Sequence, residues 1–141
     1  MGFAVPWDGA YNILNVLYAM QNIGLKEEDI IVAGRHADSP DPRIEWEVKA
    51  LSVDLYSNVT IKSTSSSKYI GADSEKVVYN DKAYEWSVSY REVGRWIIQD
   101  PASGLLLYLP DNIDGTEVSL TRDGAGEKSY WRFIPSRPAS N

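Results

Sequence analysis

Hydrophobic and polar residues alternate in short runs along most of this chain. The runs are rich in Val, Ile, Tyr and Trp, and clusters of Gly, Pro, Asp, Asn and Ser separate them. A period of two is typical of β-strands with one buried face. One stretch, "YNILNVLYAMQNIGLKEED", also fits helical spacing, but Tyr11, Ile13 and Asn15 alternate within it. The surrounding pattern therefore favours strands throughout.

The runs recur as an internal repeat of three units. A β-rich tetrapeptide begins each unit, at Tyr11 ("YNIL"), Val59 ("VTIK") and Trp96 ("WIIQ"). The predicted second strands are "VLYAM", "KYIGA" and "LLLYLP", and Tyr69 and Leu106 each lie ten residues after the start of their unit. The third strands are "IIVAG", "VVYN" and "VSLT". We refer to residues 8–53, 54–92 and 93–136 as repeats 1, 2 and 3.

A tryptophan lies in the predicted fourth strand of every repeat: Trp46 in "IEWEV", Trp86 in "YEWSV" and Trp131 in "YWRFI". Three units of four strands predict an all-β protein with the β-trefoil fold, a six-stranded barrel closed at one end by three hairpins. Three equivalent large apolar residues would fill its pseudo-threefold axis, so we expect these tryptophans in the core. The alternative interpretation is that they are platforms on which sugars stack.

Composition limits the classes of function. With 141 residues, 43% of them hydrophobic, the chain predicts a single domain over residues 1–141. The formal net charge of −6 argues against nucleic acid and anionic membranes as partners. The sequence contains no long apolar run and no recognisable secretion signal, so we expect a cytoplasmic protein. We also expect it to be a monomer.

Catalytic and metal-binding signatures are also lacking. The chain contains no cysteine, and its one histidine, His36, lies in a turn-rich stretch typical of a solvated loop. There is no nucleophile elbow and no phosphate-binding loop, since "GAGEKS" lacks the required spacing and is typical of a turn. We therefore expect no enzyme activity, no catalytic residue, no metal and no cofactor.

The opening "DGAYNILNV", the three-unit layout, the closing "EWEV", "EWSV" and "YWRF" and the absence of cysteine resemble a known family. These features are similar to those of fungal β-trefoil protease inhibitors, the group that contains the mycocypins and the cospin-type serine protease inhibitors. The resemblance covers roughly Asp8 to Pro135. It implies a cytoplasmic defence protein that inhibits trypsin-like serine proteases, with cysteine proteases as a second class of target.

An inhibitor of this kind inserts a rigid exposed loop into the cleft of the protease. The long connection "MQNIGLKEED" in repeat 1 is the favoured loop, and the resemblance points to the same place. Its predicted protease-binding residues are Gln21, Asn22, Ile23, Gly24 and Lys26, with Asn22 and Ile23 at the scissile bond and Lys26 as the basic alternative. A second loop offers Arg122 and Lys128, and "GRHADSPDPR" is a third candidate.

A carbohydrate-binding β-trefoil lectin is the alternative function, and a trefoil used only for protein contacts is a third. Ricin-type lectins are similar to one another in a Gln-x-Trp signature. Here the residues two positions before the tryptophans are Ile44, Tyr84 and Ser129, so all three repeats lack the glutamine of this signature. This difference argues against a ricin-type lectin. Three further aromatic residues are candidates either for sugar stacking or for packing at the barrel ends: Trp7, Tyr56 and Tyr90.

Overall fold

The computed structural model describes residues 9–26, 31–36, 42–51, 56–92, 94–122 and 126–136. Thirteen strands occur in these ranges, together with short 3₁₀ helices at Pro42–Ile44 and Gly126–Ser129. The strands are β1 (Gly9–Asn15), β2 (Gln21–Lys26), β3 (Ile31–His36), β4 (Trp46–Ala50), β5 (Tyr56–Ser63), β6 (Tyr69–Asp73), β7 (Lys76–Asn80), β8 (Trp86–Glu92), β9 (Arg95–Gln99), β10 (Leu106–Tyr108), β11 (Thr116–Glu117), β12 (Ser119–Thr121) and β13 (Trp131–Pro135).

Six of the strands close into a barrel. β1 pairs with β4 and β13, β5 pairs with β4 and β8, and β9 pairs with β8 and β13, all antiparallel. Each repeat adds one hairpin: β2 with β3, β6 with β7, and β10 with β12. The short β11 pairs with β3 and so links the hairpins of repeats 3 and 1. This arrangement confirms the predicted β-trefoil.

The strand register also confirms the alignment of the three repeats. The residues that begin the repeats lie opposite the three tryptophans: Tyr11 pairs with Trp46, Val59 with Trp86, and Trp96 with Trp131. Two residues further along each first strand, Ile13, Ile61 and Ile98 are fully buried. The period of two therefore directs equivalent side chains of all three repeats into one core.

Trp46, Trp86 and Trp131 are completely buried, each at 0% exposure. Their indole Nε1 groups donate hydrogen bonds to the carbonyl oxygens of Ile23 (2.8 Å), Ile70 (2.9 Å) and Leu107 (3.1 Å), respectively. Each acceptor lies in the first strand of the hairpin of the same repeat, so the tryptophan ties the barrel to that hairpin. The predicted core role is confirmed, because a buried ring has no face for a sugar.

A polar residue lies at the end of the first strand of each repeat or directly after it, and all three are buried: Asn15, Ser63 and Asp100. A buried polar group requires hydrogen-bond partners, and these side chains find them in the turn that follows. Each side-chain oxygen accepts a hydrogen bond from a main-chain N–H: Asn15 Oδ1 from Tyr18 (3.0 Å), Ser63 Oγ from Ser65 (3.1 Å) and Asp100 Oδ1 from Ala102 (3.2 Å). The first turn of every repeat is therefore held by the same kind of hydrogen bond, from a main-chain N–H to a buried polar side chain.

The predicted position of the second strand in repeat 1 is wrong. Residues 16–20, "VLYAM", form a bend and turn, and the strand begins at Gln21. The turn is closed by the Gln21 N–H, which donates to the Tyr18 carbonyl at 2.8 Å. Leu17 and Met20 are 45% and 51% exposed, so of the hydrophobic run that suggested a strand these two side chains face solvent, while Tyr18 packs against the core.

Candidate functional site

An open cleft of about 490 Å³ lies on the outer surface where repeats 2 and 3 meet. We call it the repeat 3 cleft. Strands β8 and β9 form its floor, and β10, the turn before β10 and the residue after β12 form its wall. The lining residues are Ser87, Ser89, Arg91, Ile97, Gln99, Gly104, Leu106 and Arg122.

The floor of the cleft follows from strand alternation. Trp86 and Val88 are buried in the core, so Ser87 and Ser89 lie on the opposite face of β8, where Ser87 is half-buried and Ser89 is 6% exposed. The antiparallel register places Ser87 beside Gln99, and Ser89 beside Ile97. Because serine side chains are short, they leave room above the sheet for another molecule.

The equivalent positions in the other two repeats carry larger side chains. The residues one and three after the tryptophan are Glu47 and Lys49 in repeat 1, and Arg132 and Ile134 in repeat 3. Only repeat 2 has serine at both positions. The cleft therefore lies at β8 because the two serines there have short side chains.

In repeat 2, larger side chains occupy the positions that correspond to the wall of the cleft. By register, Lys62 and Tyr69 are the equivalents of Gln99 and Leu106, since each pair lies directly across the two strands. The Lys62 ammonium lies 5.7 Å from the centre of the Tyr69 ring. These two side chains therefore contact each other where, in repeat 3, Gln99 and Leu106 line the cleft.

Asp100 holds the turn that forms one wall of the cleft. Asp100 is 3% exposed, and its carboxylate accepts hydrogen bonds from the Tyr84 hydroxyl, from Ser103 Oγ (2.7 Å) and from the Ala102 N–H. The Gly104 N–H donates to the Asp100 carbonyl at 2.7 Å, and Gly104 has a φ of 80°, which favours glycine. Gln99 Nε2 then donates to the Gly104 carbonyl at 3.1 Å, so the wall and floor are joined.

Hydrogen bonding sets the charge of Asp100. Burial alone would raise the pKa of the carboxyl group, but the bonds from Tyr84, Ser103 and the turn amides outweigh burial and lower the pKa. Burial raises the pKa of the Tyr84 hydroxyl to about 12, and its hydrogen bond to Asp100 and the nearby charges of Asp100 and Asp73 act in the same direction. At neutral pH the pair is therefore an ionised carboxylate and a neutral phenol.

Arginine provides both of the charged side chains among the described residues that line the cleft. Arg91 is the extra residue of a β-bulge, because Tyr90 pairs with Trp96 and Glu92 pairs with Arg95. A bulge re-aims the side chain that it carries, and Arg91 lines the cleft. Arg122 directly follows β12 and approaches from the wall. The described lining contains no Asp or Glu.

The segment predicted to be an inhibitory loop is strand β2. Gln21, Asn22 and Ile23 are 5%, 3% and 0% exposed, and all residues from Gln21 to Lys26 are paired with β3. Gly24 lies within this pairing, and Lys26 is exposed at the end of the strand. The prediction of an exposed loop is therefore wrong, because buried backbone that is paired in a sheet cannot enter a protease cleft.

The alternative loop is divided by the fold. Arg122 belongs to the repeat 3 cleft, whereas Lys128 lies in the 3₁₀ helix Gly126–Ser129. The Lys128 carbonyl accepts hydrogen bonds from Asn15 Nδ2 (2.8 Å) and from the Leu109 N–H (3.0 Å). This segment therefore helps to pack repeat 3 against repeat 1, and Lys128 does not line the cleft.

The remaining candidates have different outcomes. Tyr90 packs on Trp96 with ring centres 5.0 Å apart at 70°, which confirms the packing interpretation for this residue. Trp7 and residues 37–41 of the third candidate loop lie outside the described residues, as do the side chains of His36 and Tyr56.

The described ranges lack two general features, a metal-binding cluster and a membrane-spanning helix. No group of three or more His, Cys, Asp or Glu residues there has a geometry that could hold a metal ion. No helix in those ranges is long and apolar enough to span a membrane.

Three solved structures illustrate what the chain is similar to. The Macrolepiota procera ricin B-like lectin, in complex with lactose, is 24% identical, with a TM-score of 0.78 over 94% of this chain and 99% of that one. The Rhizoctonia solani agglutinin is 19% identical, with a TM-score of 0.80 over 96% and 99%. ThreeFoil, a designed protein with threefold symmetry, is 16% identical, with a TM-score of 0.75 over 90% and 99%. No protein-family model and no curated protein matched the sequence.

These similarities correct the predicted function and partner. The similar structures include lectins, one of them solved with lactose, and the predicted inhibitory loop is a buried strand. The prediction of a protease inhibitor with a protease as its partner is therefore wrong. The expected absence of enzyme activity stays a prediction. The resemblance to fungal trefoil proteins is confirmed at the level of the fold, and the chain is a β-trefoil.

Proposed function

We propose that this chain is a carbohydrate-binding β-trefoil and that the repeat 3 cleft holds the sugar. The observation that carries the proposal is the cleft itself, in which short hydroxyl side chains, an amide and two guanidinium groups surround a small apolar area. The lectins among the similar structures support the same class of function.

The lining groups match the two kinds of surface that a sugar presents. Sugar hydroxyls donate and accept hydrogen bonds, as do Ser87, Ser89 and the Gln99 amide, while the guanidinium groups donate only. Patches of sugar C–H groups are apolar, and half-buried Leu106 offers apolar contact, with Ile97, which is 4% exposed, in the floor of the cleft. Small-molecule sites commonly combine apolar contacts with a few placed polar groups.

Rigidity favours binding at this position. The serines and Gln99 lie on paired strands, and the Asp100 network fixes the turn that contains Gly104. Side chains that are already held in place lose little conformational entropy when a ligand binds. The cleft therefore requires little rearrangement to receive a sugar.

A glycan array followed by calorimetry with the best glycan tests the proposal. Ser89→Lys introduces into the cleft the residue that repeat 1 has at the equivalent position, and we expect it to weaken binding by at least about tenfold because the longer side chain fills the space. The matched control is Lys49→Ser, the reverse exchange on β4, which should change the affinity by less than about twofold.

Two results would contradict the proposal. One is the absence of binding to every glycan on the array. The other is a Ser89→Lys variant that remains folded, as judged by its circular dichroism spectrum, and binds as the parent protein does. The predicted cytoplasmic location and single-domain organisation are not addressed by these experiments and stay predictions.

A further inference from the structure

We propose that the repeat 3 cleft selects saccharides that carry a negatively charged group, and that Arg91 and Arg122 recognise this group. The inference rests on the proposed function and adds to it the class of ligand. Its basis is the presence of two guanidinium groups in a cleft whose described lining has no carboxylate.

The two arginines approach the cleft from different elements. Arg91 is placed by the bulge on β8, beside the serines of the floor. Arg122 follows Thr121, which pairs with Leu106 at the wall. A sugar bound over Ser87 and Ser89 would therefore lie between a cationic group on β8 and a second one directly after β12.

Neither guanidinium is neutralised by the described part of the protein. Arg91 and Arg122 are both exposed, and no ion pair joins either of them to a described carboxylate. The acidic neighbour of Arg91 in the chain, Glu92, pairs instead with Arg95 at 3.2 Å. Arg95 also contacts Glu127 at 2.7 Å, so this local network leaves Arg91 out.

A carboxylate or a sulfate ester on the sugar would form ion pairs with Arg91 and Arg122. The guanidinium group is planar, weakly hydrated and always charged, and its N–H groups match the oxygen atoms of such anions in pairs. The chain as a whole carries a net charge of −6, so its long-range field repels extended polyanions. The combination favours a single charged group on a short saccharide over a nucleic acid or a highly sulfated polymer.

The test compares three probes by calorimetry on the intact chain: lactose, sialyllactose and a lactose bearing one sulfate ester. We expect at least one charged probe to bind about tenfold more tightly than lactose. Raising NaCl from about 50 mM to about 500 mM should reduce this preference, because salt screens exposed charges. Tighter binding of sialyllactose alone assigns a carboxylate, and tighter binding of the sulfated probe alone assigns a sulfate.

Two variants test whether Arg91 and Arg122 cause the preference for a charged sugar. In Arg91→Gln/Arg122→Gln, the ratio of charged to neutral affinity should fall to about one, whereas Arg132→Gln, which alters an exposed arginine of β13 outside the cleft, should preserve the ratio. Equal affinity for all three probes, or a ratio unchanged in the double variant, overturns the inference while the proposed function stands. Failure of all three probes, together with an array on which no glycan binds, overturns both.

Discussion

Replacing Asp100 by asparagine should destabilise the fold and loosen the cleft. Asp100 is buried at the end of β9, and its two oxygen atoms accept bonds from Tyr84, Ser103 and Ala102. Asparagine has nearly the same shape but only one acceptor oxygen. If that oxygen keeps Tyr84 and Ala102, the hydroxyl of Ser103 faces an N–H group and loses its acceptor.

The size of the effect follows from counting these bonds. A hydrogen bond to a charged group typically contributes about 1.5–3 kcal/mol, against about 0.5–1.5 kcal/mol for a neutral pair. Losing one charged bond and weakening two others removes about 4 kcal/mol. A neutral amide is also easier to bury than a carboxylate, which offsets part of the loss. We therefore expect the free energy of unfolding to fall by about 2 kcal/mol at pH 7.

The effect should depend on pH in a defined direction. The pKa of Asp100 is lower in the folded protein than the value of about 3.9 typical of an unfolded chain. The stabilisation by ionised Asp100 is thus fully present above about pH 4 and is lost as the pH falls through the depressed folded pKa. The stability difference between parent and variant should be constant near neutrality and should shrink in strong acid.

Urea unfolding at 25 °C, followed by tryptophan fluorescence, measures this difference. The matched control is Asp81→Asn, an exposed aspartate in the turn after β7, which should change stability by less than about 0.5 kcal/mol. An Asp100→Asn variant as stable as the control at pH 7 would refute the argument that this carboxylate holds the turn. A difference that grows as the pH is lowered would refute the assigned ionisation.

Three further substitutions test the packing of the trefoil by urea unfolding. Trp86→Phe removes the indole bond to the Ile70 carbonyl and some packing, so we expect a loss of about 2 kcal/mol; a loss below about 0.5 kcal/mol would contradict the tie between barrel and hairpin. Gly34→Ala would place a Cβ atom 2.7 Å from buried Leu109, which predicts a loss of about 1–3 kcal/mol, and full stability would contradict the close packing. Gly104→Ala meets no side chain but has a φ of 80°, so about 1 kcal/mol of backbone strain is expected; an unchanged stability would argue against that conformation.

The repeat architecture was predictable from sequence because core positions obey a simple period. The sequence aligned Tyr11, Val59 and Trp96 as equivalent positions, and the strand register shows that each of them lies opposite the tryptophan of its own repeat. Inward-facing residues on short strands have to be apolar and alternate, so this information is local and can be read from the chain.

The second strand of repeat 1 was predicted at the wrong residues, although the spacing of the other two repeats indicates where it begins. In repeats 2 and 3 this strand begins at or near the tenth residue after the start of the repeat, and the same interval from Tyr11 leads to Gln21, where β2 begins. The hydrophobic run at residues 16–20 outweighed that interval. A turn can expose apolar side chains such as Leu17 and Met20, so hydrophobicity alone does not identify a strand.

The cleft was not predictable because it depends on which strands are neighbours. Ser87 and Ser89 acquire their significance only when β9 lies beside them and Arg122 approaches from the far end of repeat 3. A partial signal was present: the residue after the tryptophan is serine in repeat 2 but Glu47 or Arg132 in the others. Arg122 was identified as a candidate, but for a protease-binding loop.

The most direct test of the central claim is an NMR titration of the uniformly ¹⁵N-labelled chain with lactose and then with sialyllactose. We predict that the largest amide shift changes occur at Ser87, Ser89, Gln99 and Gly104, and that they saturate with the added sugar. Changes confined to another surface, such as the turn at Leu17 and Met20, would place the site elsewhere. No change with either sugar at about 10 mM, a concentration that detects even millimolar affinity, would contradict the account.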